Sequence, residues 1–427
     1  MVSPTKRILL TTLLANACRV LLAVVFMVSG FVKAVDPVGF MYKMTEYSVA
    51  FDMVQLSSFW ILFFALLFSG VEFIVGFFLL TGIWRKTVAT FTLLILLFYT
   101  PLTLYIAIEN PVPDCGCFGD ALLLGNWQTF AKNVFLLALA VVVVAKNSLY
   151  RRCLSSRNRW MAVLFALAYI LLVEGMSVWH LPVIDFRPYA IGTNLREAVE
   201  DVPPVYETTS VYEKGGEQRT FATGSLPDST WNYIGSSNRL VKEGRRATVN
   251  DFAFLDRATG EDFAAEILAD TGYVVLVVME SLEVADESRV DKINDIYDYC
   301  EDNDMRFYAA TSSADDAVEV WCRRTGAEYS LLWADDIALK TMVRANPGLL
   351  LIKDGYIVEK WNITDVPDVD KMSQSESLLA SGGYVEFMRG WLFWLLLFAG
   401  PVAVILFLDM FVQKPAEIKD ENKTSDI

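Results

Sequence analysis

Two cysteines separated by a single residue, Cys115 and Cys117, are the groups in this 427-residue chain best suited to chemistry. They lie in a short loop, residues 111–120, between two strongly apolar stretches. A disulfide across one intervening residue is strained and easily reduced, because good disulfide geometry needs more backbone freedom. The pair is therefore predicted to exchange thiols and disulfides. The alternative is a structural disulfide that closes a tight turn at Gly116.

Neighbouring residues bear on the chemistry of this pair. Asp114 and Asp120 flank the thiols, and acidic neighbours raise the pKa of a thiol, which argues against a strongly activated nucleophile. No metal site is expected, because His180 is the only histidine and no further Cys/His cluster completes a four-ligand set. His180 stands at the end of a predicted span, where we interpret it as an interfacial residue, with a proton relay as the alternative.

Six apolar stretches are long enough to cross a bilayer and therefore position the loop. A membrane-spanning helix needs about 20 apolar residues, and 54% of this chain is hydrophobic. We predict spans at residues 13–32, 59–80, 88–108, 130–145, 161–179 and 391–412. The expected fold is an α-helical membrane bundle of six spans with a large water-soluble part between the fifth and the sixth.

Lysine and arginine in the connecting segments give the orientation of the spans, since cytoplasmic loops carry the excess of positive charge. The basic residues precede the first span, separate the second from the third and the fourth from the fifth, and follow the sixth: Lys6, Arg7, Arg85, Lys86, Lys146, Arg151, Arg152, Arg157, Arg159, Lys414, Lys419 and Lys423. We therefore expect both termini in the cytoplasm, and the cysteine loop and residues 181–387 on the outer side.

The outer segment is strongly acidic, which limits its partners. Residues 181–387 hold 38 Asp and Glu against 19 Lys and Arg, a net charge of −19. Nucleic acid and anionic lipid are therefore disfavoured as partners of this segment. Membrane lipid is expected around the helices alone.

Charged residues inside the spans form a second candidate site. Arg19 in the first span and Glu72 in the second are predicted to lie at similar depth and to pair, because an unpaired charge within a membrane costs several kcal/mol. The pair is either a structural ion pair or part of a proton or quinone pathway. Lys33 and Asp36 lie at the outer end of the first span, near the level of the cysteine loop, where they could modulate it.

Three features of the first four spans occur together: the segment from Gly30 to Pro37, Glu72 with Gly76, and the sequence Asp-Cys-Gly-Cys-Phe-Gly at 114–119. In these features the spans resemble the MauE/DoxX group of redox-associated four-helix membrane proteins. MauE is linked to the maturation of methylamine dehydrogenase, so the resemblance implies thiol–disulfide traffic at the surface of a bacterial inner membrane, on its periplasmic side. A Gram-positive surface fits the charges equally well. Electrons would leave or enter through a quinone in the bundle or through a separate redox protein.

The outer segment from residue 247 is predicted to form an α/β domain. Its predicted elements are a strand at 248–255, an amphipathic stretch at 261–268, a buried strand at 272–279, a helix at 287–300, a strand at 305–310, a helix at 314–325, a hairpin over 349–361 and a terminal helix. In this order of elements the segment resembles the TlpA branch of the thioredoxin-like superfamily. Pro347, after Asn346, stands where thioredoxin-like proteins carry their cis-proline. Residues 181–246 lie between the fifth span and this domain, and a hairpin is predicted at 205–223 around Gly215-Gly216. We interpret them as a β-containing segment and call it the collar.

The thioredoxin-like domain lacks the CxxC motif of its active relatives. Where the motif should follow the strand ending at Met279, the chain reads Glu280-Ser281-Leu282-Glu283-Val284. Cys300 and Cys322 fall on successive predicted helices and are interpreted as a structural disulfide or as two buried free thiols. The domain is therefore expected to recruit and orient a client instead of exchanging dithiols.

These inferences give one domain scheme and two functional hypotheses. The domains are predicted at 1–148 (four-helix membrane domain), 149–180 (loop and fifth span), 181–246 (collar), 247–375 (thioredoxin-like domain) and 376–427 (sixth span and tail). The first hypothesis is a membrane thiol–disulfide protein that assists disulfide formation or maturation of extracytoplasmic clients through Cys115 and Cys117. The alternative is a non-enzymatic envelope assembly or binding module in which these two cysteines form a structural disulfide.

Overall fold

A computed structural model describes residues 4–53, 56–149, 153–222, 227–369 and 390–421, the side chains of 4, 5 and 411–421 excepted. The chain forms two compact units. The helical unit contains Met1–Arg187 and Trp361–Ile427, and the sheet unit is Pro188–Lys360. The predicted boundaries at 246 and 375 do not coincide with this division, and the finer domain limits stay predictions.

The helical unit is built from seven helices of the described chain. They are α1 (Pro4–Val35), α2 (Pro37–Ala50), α3 (Ser58–Thr81), α4 (Arg85–Glu109), α5 (Asn126–Ala145), α6 (Arg159–Trp179) and, beyond the sheet unit, α12 (Trp391–Glu421). All except α2 contain a stretch long and apolar enough to cross a membrane, which confirms the six predicted spans.

Helix α2 was not predicted, although its start carries clear local signals. The side chain of Asp36 accepts a hydrogen bond from the backbone N–H of Gly39 at 2.8 Å, and Pro37 occupies the first helical position. An Asp cap followed by proline favours the beginning of a helix, because proline lacks the N–H that would be unsatisfied there. Asp36, predicted as a modulator of the thiols, thus serves as a helix cap.

Two glycines allow α1 and α3 to approach closely. A Cβ at Gly30 in α1 would overlap the backbone nitrogen of Phe73 in α3, and a Cβ at Gly76 would lie 2.5 Å from the backbone nitrogen of Met27. Close approach of backbones at small residues is a usual mode of packing between membrane helices. The two contacts fix the register of this antiparallel pair and place the segment around Ser29 opposite Glu72.

Helix α12 packs against α3 and α6 through Phe398. The Phe398 ring lies 5.1 to 5.9 Å from those of Phe73, Phe77, Phe165 and Tyr169. Further along α12, the buried carboxylate of Asp409 accepts hydrogen bonds from the Ser155 backbone N–H at 2.9 Å and from Asn158 Nδ2 at 2.8 Å. Helix α12 therefore completes the bundle and also holds the segment that leads into α6.

The sheet unit begins with helix α7 (Leu195–Val199) and a three-stranded antiparallel sheet. Its strands are β1 (Val205–Lys214), β2 (Glu217–Ala222) and β3 (Asn232–Lys242), in the spatial order β2-β1-β3. The hairpin predicted at 205–223 is confirmed by the pairing of β1 with β2, and the turn residues Gly215 and Gly216 have φ of 62° and 87°. The third strand was not predicted.

The remainder of the sheet unit has the thioredoxin-like arrangement. The strands β4 (Tyr273–Met279), β5 (Arg306–Thr311), β6 (Leu331–Trp333), β7 (Gly348–Lys353) and β8 (Tyr356–Asn362) form one sheet in the order β6-β5-β4-β7-β8. Strands β4, β5 and β6 are parallel, and β7 is antiparallel to β4. The helices are α8 (Ala264–Ala269), α9 (Val290–Asp302), α10 (Asp315–Thr325) and α11 (Asp336–Met342). The predicted α/β thioredoxin-like class is confirmed.

The strand predicted at 248–255 is wrong. Only Leu255 pairs there, exchanging two backbone hydrogen bonds of 2.8 Å with Trp333. Immediately afterwards the side chain of Asp256 accepts hydrogen bonds from the backbone N–H groups of Ala258 and Thr259. Such local side-chain bonds turn the chain and compete with strand pairing. The predicted terminal helix and the predicted domain end at 375 fall beyond residue 369, outside the described residues.

Candidate functional site

The cysteine loop connects α4 to α5, and the two ends of this connection are tied together. Asn126, the first residue of α5, donates through Nδ2 to Asn110 Oδ1 at 2.8 Å and to the carbonyl oxygen of Val112 at 2.9 Å. Asn110 itself ends α4 with a φ of 50°. These contacts hold the start of the loop in one position relative to both helices.

The backbone around the two cysteines is fixed by α2 and by local hydrogen bonds. Tyr47 in α2 donates its hydroxyl to the carbonyl oxygen of Cys115 at 3.0 Å, and the N–H of Gly116 donates to Asp114 Oδ1 at 2.8 Å. Gly116 has a φ of 63°, and a Cβ there would lie 2.8 Å from Lys43 Cγ. Glycine is therefore required between the cysteines for conformation and for space.

The two sulfur atoms face each other across this glycine. Both thiols are free and half-buried, with Cys115 Sγ 2.9 Å from Cys117 Sγ. A hydrogen bond from the Cys115 thiol lowers the pKa of Cys117 to about 6 against the opposing effect of burial, and the charges of Lys132 and Lys33 lower it further. The same hydrogen bond, followed by burial, raises the pKa of Cys115. Either thiol could donate across the Sγ–Sγ contact, and the surrounding charges of Lys132 and Lys33 favour Cys117 as the thiol that ionises.

The acidic residues beside the loop lie close to basic side chains. The carboxylate of Asp114 lies 3.1 Å from Lys43 Nζ, which also bonds Glu46 at 2.6 Å. Burial lowers the pKa of Lys43, but its bonds with Glu46 and Asp114 outweigh that effect and raise it. Asp114 and Glu46 therefore share one ammonium group, and the role of Asp114 as a modulator of the thiols stays a prediction. Asp120 is exposed and lines a small cleft with Asp36 and Arg187.

A buried ion pair lies within the bundle beneath Cys117. Lys33 Nζ is 2.7 Å from Glu72 Oε2, with side-chain exposures of 7% and 8%. Ser29 Oγ lies 2.8 Å from the same carboxylate oxygen and 2.8 Å from the carbonyl oxygen of Cys117. Tyr99 in α4 donates to Glu72 Oε1 at 3.4 Å. The hydroxyl of Ser29 therefore connects the ion pair to the backbone of the cysteine loop.

The predicted pair between Arg19 and Glu72 is wrong, because Glu72 pairs with Lys33. Arg19 lies 14 residues before Lys33 in α1, which is about 21 Å along a helix. The depth prediction counted from the inner ends of the two spans, at residues 13 and 80, whereas in the structure Gly30 of α1 lies against Phe73 of α3 and so places Glu72 near Lys33. Arg19 is buried at another level of α1.

His180 follows the last residue of α6 and is half exposed. Its Nδ1 atom lies 2.8 Å from Asp365 Oδ1. This contact binds the end of α6 to a residue of the same unit that follows the sheet region in the chain. The structure does not bring His180 into contact with either loop cysteine.

In the sheet unit a carboxylate stands where a redox cysteine pair would follow β4. Glu283 accepts hydrogen bonds of 2.7 Å from the hydroxyls of Ser281 and Ser313, and these bonds lower its pKa. Asn346 Nδ2 donates to the carbonyl oxygen of Ser281 at 2.7 Å, and the peptide bond between Asn346 and Pro347 is cis. Sequence reasoning noted the missing cysteines and did not foresee this hydrogen-bonded cluster.

Cys300 and Cys322 do not form the structural disulfide that was considered. Both are free thiols, Cys300 fully buried in α9 and Cys322 half-buried in α10. Burial raises the pKa of Cys300 to about 12 and also raises that of Cys322. Such thiols are poor nucleophiles.

Several residues that hold the loop were not identified from the sequence: Ser29, Lys43, Tyr47, Tyr99 and Lys132. One signal was present, since Ser29 and Lys33 are four residues apart and so share a face of α1. The others come from separate elements and meet only after folding.

The fold and the site together define a multi-pass membrane protein with a thioredoxin-like domain and a buried ion pair next to a Cys-Gly-Cys loop. Residues 11–146 match the family model for methylamine utilisation protein MauE, which confirms the MauE resemblance for helices α1 to α5. Residues 206–243 match a domain of unknown function (DUF8463). Assignment to the DoxX group or to the TlpA branch stays a prediction.

Solved structures similar to the chain include two solution structures. One is a Bacteroides thetaiotaomicron protein provisionally assigned as a protein disulfide isomerase, 17% identical, with coverage of 33% of this chain and 92% of that one and a TM-score of 0.25. The other is a Neisseria meningitidis protein provisionally assigned as a thioredoxin, 16% identical, with coverage of 31% and 91% and a TM-score of 0.25. No curated protein gives a significant match to the chain.

Proposed function

We propose that this protein is a membrane thiol–disulfide redox protein that assists disulfide formation or maturation of extracytoplasmic clients through Cys115 and Cys117. The observation that carries the proposal is the pairing of a low-pKa Cys117 with a Cys115 thiol 2.9 Å away. An exchange site needs one stabilised thiolate and one partner sulfur within bonding reach, and the loop supplies both.

The asymmetry of the pair gives an order of events. In the disulfide form, a client thiolate attacks Cys115 Sγ, the bond between the two loop sulfurs breaks, and Cys117 leaves as a thiolate. The lower pKa of Cys117 makes it the better leaving group. A second client thiolate then attacks the mixed disulfide and releases Cys115, so the client gains a disulfide while the loop gains two electrons. A quinone or a separate redox protein would take up those electrons.

The membrane arrangement belongs to the same proposal. The loop and the sheet unit would face the extracytoplasmic (periplasmic) side of a bacterial inner membrane, with both termini in the cytoplasm, as the distribution of lysine and arginine predicts. The thioredoxin-like domain would recruit the client, since no cysteine follows its strand β4.

Membrane-impermeant maleimide applied to intact cells should label reduced Cys115 and Cys117 and leave Cys153 unlabelled.

The redox state of the pair in living cells tests the proposal. Acid trapping followed by maleimide mass-tagging would be carried out with and without a respiratory-chain inhibitor, in a variant that keeps only Cys115 and Cys117. A mixed population that shifts with the inhibitor supports a cycling disulfide coupled to the membrane. The Cys115→Ser, Cys117→Ser double variant gives the background.

A non-enzymatic assembly or binding module is the second candidate. It is favoured by the replacement of the usual cysteine pair after β4 with the Glu283 cluster. In that case the loop cysteines would stay fully oxidised under every condition of the same experiment, and both single serine variants would reduce folded yield without trapping a partner.

A further inference from the structure

The three-stranded sheet of β1, β2 and β3 is open to solvent on both faces. Among the residues of these strands, all of which the structure describes, none is buried. A sheet normally buries one face against another element of structure. Large side chains of this sheet that are between 45% and 61% exposed are Tyr206, Tyr233, Ile234, Leu240 and Val241. Four of these five belong to β3.

Aromatic side chains on one face of the sheet form a row that ends at β3. The ring centroid of Tyr212 in β1 lies 5.7 Å from that of Phe221 in β2 and 5.5 Å from that of Tyr233 in β3. The Phe221 ring also lies 5.5 Å from that of Trp231. Tyr233 is the exposed end of this row, so the open part of the aromatic surface lies at the β3 edge.

The two edges of the sheet differ in how they are protected. Strand β2, at one edge, has six residues and carries Glu217 and Arg219. Strand β3, at the other edge, has eleven residues, pairs with β1 alone among the described strands, and contains neither charge nor proline from Asn232 to Asn238. Short length, charge and proline are devices that prevent an edge strand from pairing with another chain. Because β3 lacks them over this stretch, its outer N–H and C=O groups are open to a further strand.

The regular part of β3 limits the ways in which the strand pairs with its own copy. Residues 235–240 pair one by one with residues 211–206 of β1, and the register shifts fall outside them, at Ile234 and Val241. In such a segment the N–H and C=O groups of alternate residues point to the free edge. Two copies that pair antiparallel about a two-fold axis must therefore place one residue opposite itself.

We propose that β3 pairs antiparallel with β3 of a second copy of this chain, about a two-fold axis at Ser237, so that three strands from each copy form one continuous sheet. Ser237 is the middle residue of β3 (Asn232–Lys242), so this register uses the whole strand. Exposed apolar residues of one copy then lie beside exposed apolar residues of the other: Tyr233 beside Val241, and Ile234 beside Leu240.

Neighbouring positions for the axis fit the side chains less well than Ser237 does. An axis at Ser236 would place Ile234 opposite Asn238. An axis at Asn238 would place Ile234 opposite Lys242. Apolar pairs across strands stabilise a sheet, and the axis at Ser237 gives more of them than either neighbouring axis.

The charges of β3 are compatible with the same register. Arg239 and Lys242 are its charged residues, and across the axis they face Gly235 and Asn232. Within its own sheet Arg239 lies opposite Glu207 of β1, so its cross-strand neighbour is acidic. No like charges therefore meet across the axis, whereas an axis at Arg239 would place two guanidinium groups opposite each other.

Opposite charges introduced at the axis test the proposal in the full chain. Ser237→Asp and Ser237→Lys each place two like charges opposite each other, and each should weaken the dimer by about fivefold or more. An equimolar mixture of the two variants should restore it as a heterodimer. Gln218, exposed in the β2 edge strand, is the matched control, so Gln218→Asp and Gln218→Lys should leave dimerisation unchanged. Native mass spectrometry in mild detergent measures the mass and the composition of the complexes.

Cross-linking in native membranes gives a second readout that does not depend on detergent. In a chain whose six natural cysteines are replaced by alanine, Ser237→Cys should join two copies under mild oxidation, because Cβ atoms directly opposite in an antiparallel pair are about 4.5–5.5 Å apart. Gln218→Cys should not. Because this chain lacks the loop thiols, the result is independent of the proposed redox function.

Three results would overturn the proposal. The first is a native chain that is monomeric in detergent and gives no cross-link through Ser237→Cys in membranes. The second is dimerisation that the Ser237 charge variants and the Gln218 charge variants affect equally. The third is a Ser237→Cys adduct with a different protein, which would assign the β3 edge to that partner.

Discussion

The side chain of Lys43 fills the space beside Gly116, so that a Cβ on Gly116 would lie 2.8 Å from Lys43 Cγ. Lys43 belongs to α2, and so does Tyr47, which donates to the carbonyl oxygen of Cys115. A helix outside the six spans therefore supports one side of the cysteine loop, while Ser29 of α1 contacts the other cysteine from within the bundle. The geometry of the two thiols depends on both contacts.

Mixed disulfides should accumulate on Cys115 and not on Cys117. With Cys117→Ser, attack of a client on Cys115 cannot be resolved within the loop, so a covalent complex should persist. With Cys115→Ser, Cys117 should trap roughly tenfold less or none, because the proposed exchange has the client attack Cys115 and Cys117 leave. Non-reducing electrophoresis of membranes after acid trapping measures both. Equal trapping by the two variants would contradict the assigned order.

The rate at which the reduced protein is alkylated should depend on pH, because the Cys117 thiol has a pKa of about 6. The reactive form of Cys117 predominates above this pKa and is lost as the pH falls through it, so the iodoacetamide rate should be nearly constant from pH 7 to 8 and fall about tenfold per unit below pH 6. Peptide mapping should place the label on Cys117.

The matched variant for this pH dependence is Cys115→Ala, made in a protein whose one remaining cysteine is Cys117. It removes the hydrogen bond that contributes most to the low pKa, so the midpoint should move upward and the rate at pH 7 should fall by about tenfold or more. An unchanged midpoint would show that the Cys115 thiol does not stabilise the thiolate.

Removal of Lys33 should destabilise the helical unit strongly. Lys33→Met leaves Glu72 buried without its cation, and loss of one partner of a buried ion pair costs about 3–5 kcal/mol. The exposed Lys146 provides a control in the same unit, and Lys146→Met should be neutral. Thermal unfolding in detergent compares them. The exchanged pair Lys33→Glu, Glu72→Lys should recover part of the loss, whereas Arg19→Glu, Glu72→Arg should not.

Helix contact at Gly30 gives a further prediction. Gly30→Ala forces α1 away from Phe73 and should cost about 1–3 kcal/mol. Gly175→Ala in α6 is the matched control, because its Cβ would meet no atom within 4 Å. It should be neutral or stabilise by up to about 1 kcal/mol. Equal effects at both positions would contradict close packing as the cause.

The sequence predicts the elements of this protein better than the contacts between them. Apolar length alone locates the six spans, and the buried β4 strand is evident as a run of Val and Leu ending at Met279. Helix α2 was not predicted because Pro37 and Gly39 are residues that usually interrupt helices. Proline in the first turn, however, favours the start of a helix.

For the candidate site too, the sequence predicts local features better than contacts between helices. The cysteine pair was identified because its spacing is local, and Lys33 and Asp36 were noted because they follow the apolar stretch. The partner of Glu72 was assigned wrongly because relative depth depends on the register of α1 against α3, which Gly30 and Gly76 set. Local spacing cannot supply that register.

The hydrogen bonds between Asp409 and the segment that leads into α6 also constrain biosynthesis. Asp409 and Ser155 are separated by 254 residues, and the whole sheet unit lies between them in the chain. At about 5–20 residues per second, translation takes roughly 13–50 s to add that length. During this interval the segment entering α6 lacks the carboxylate that later accepts from Ser155 and Asn158. The bundle therefore reaches its final form only after the sheet unit has emerged from the ribosome, which gives membrane chaperones a defined period in which to bind the five-span intermediate.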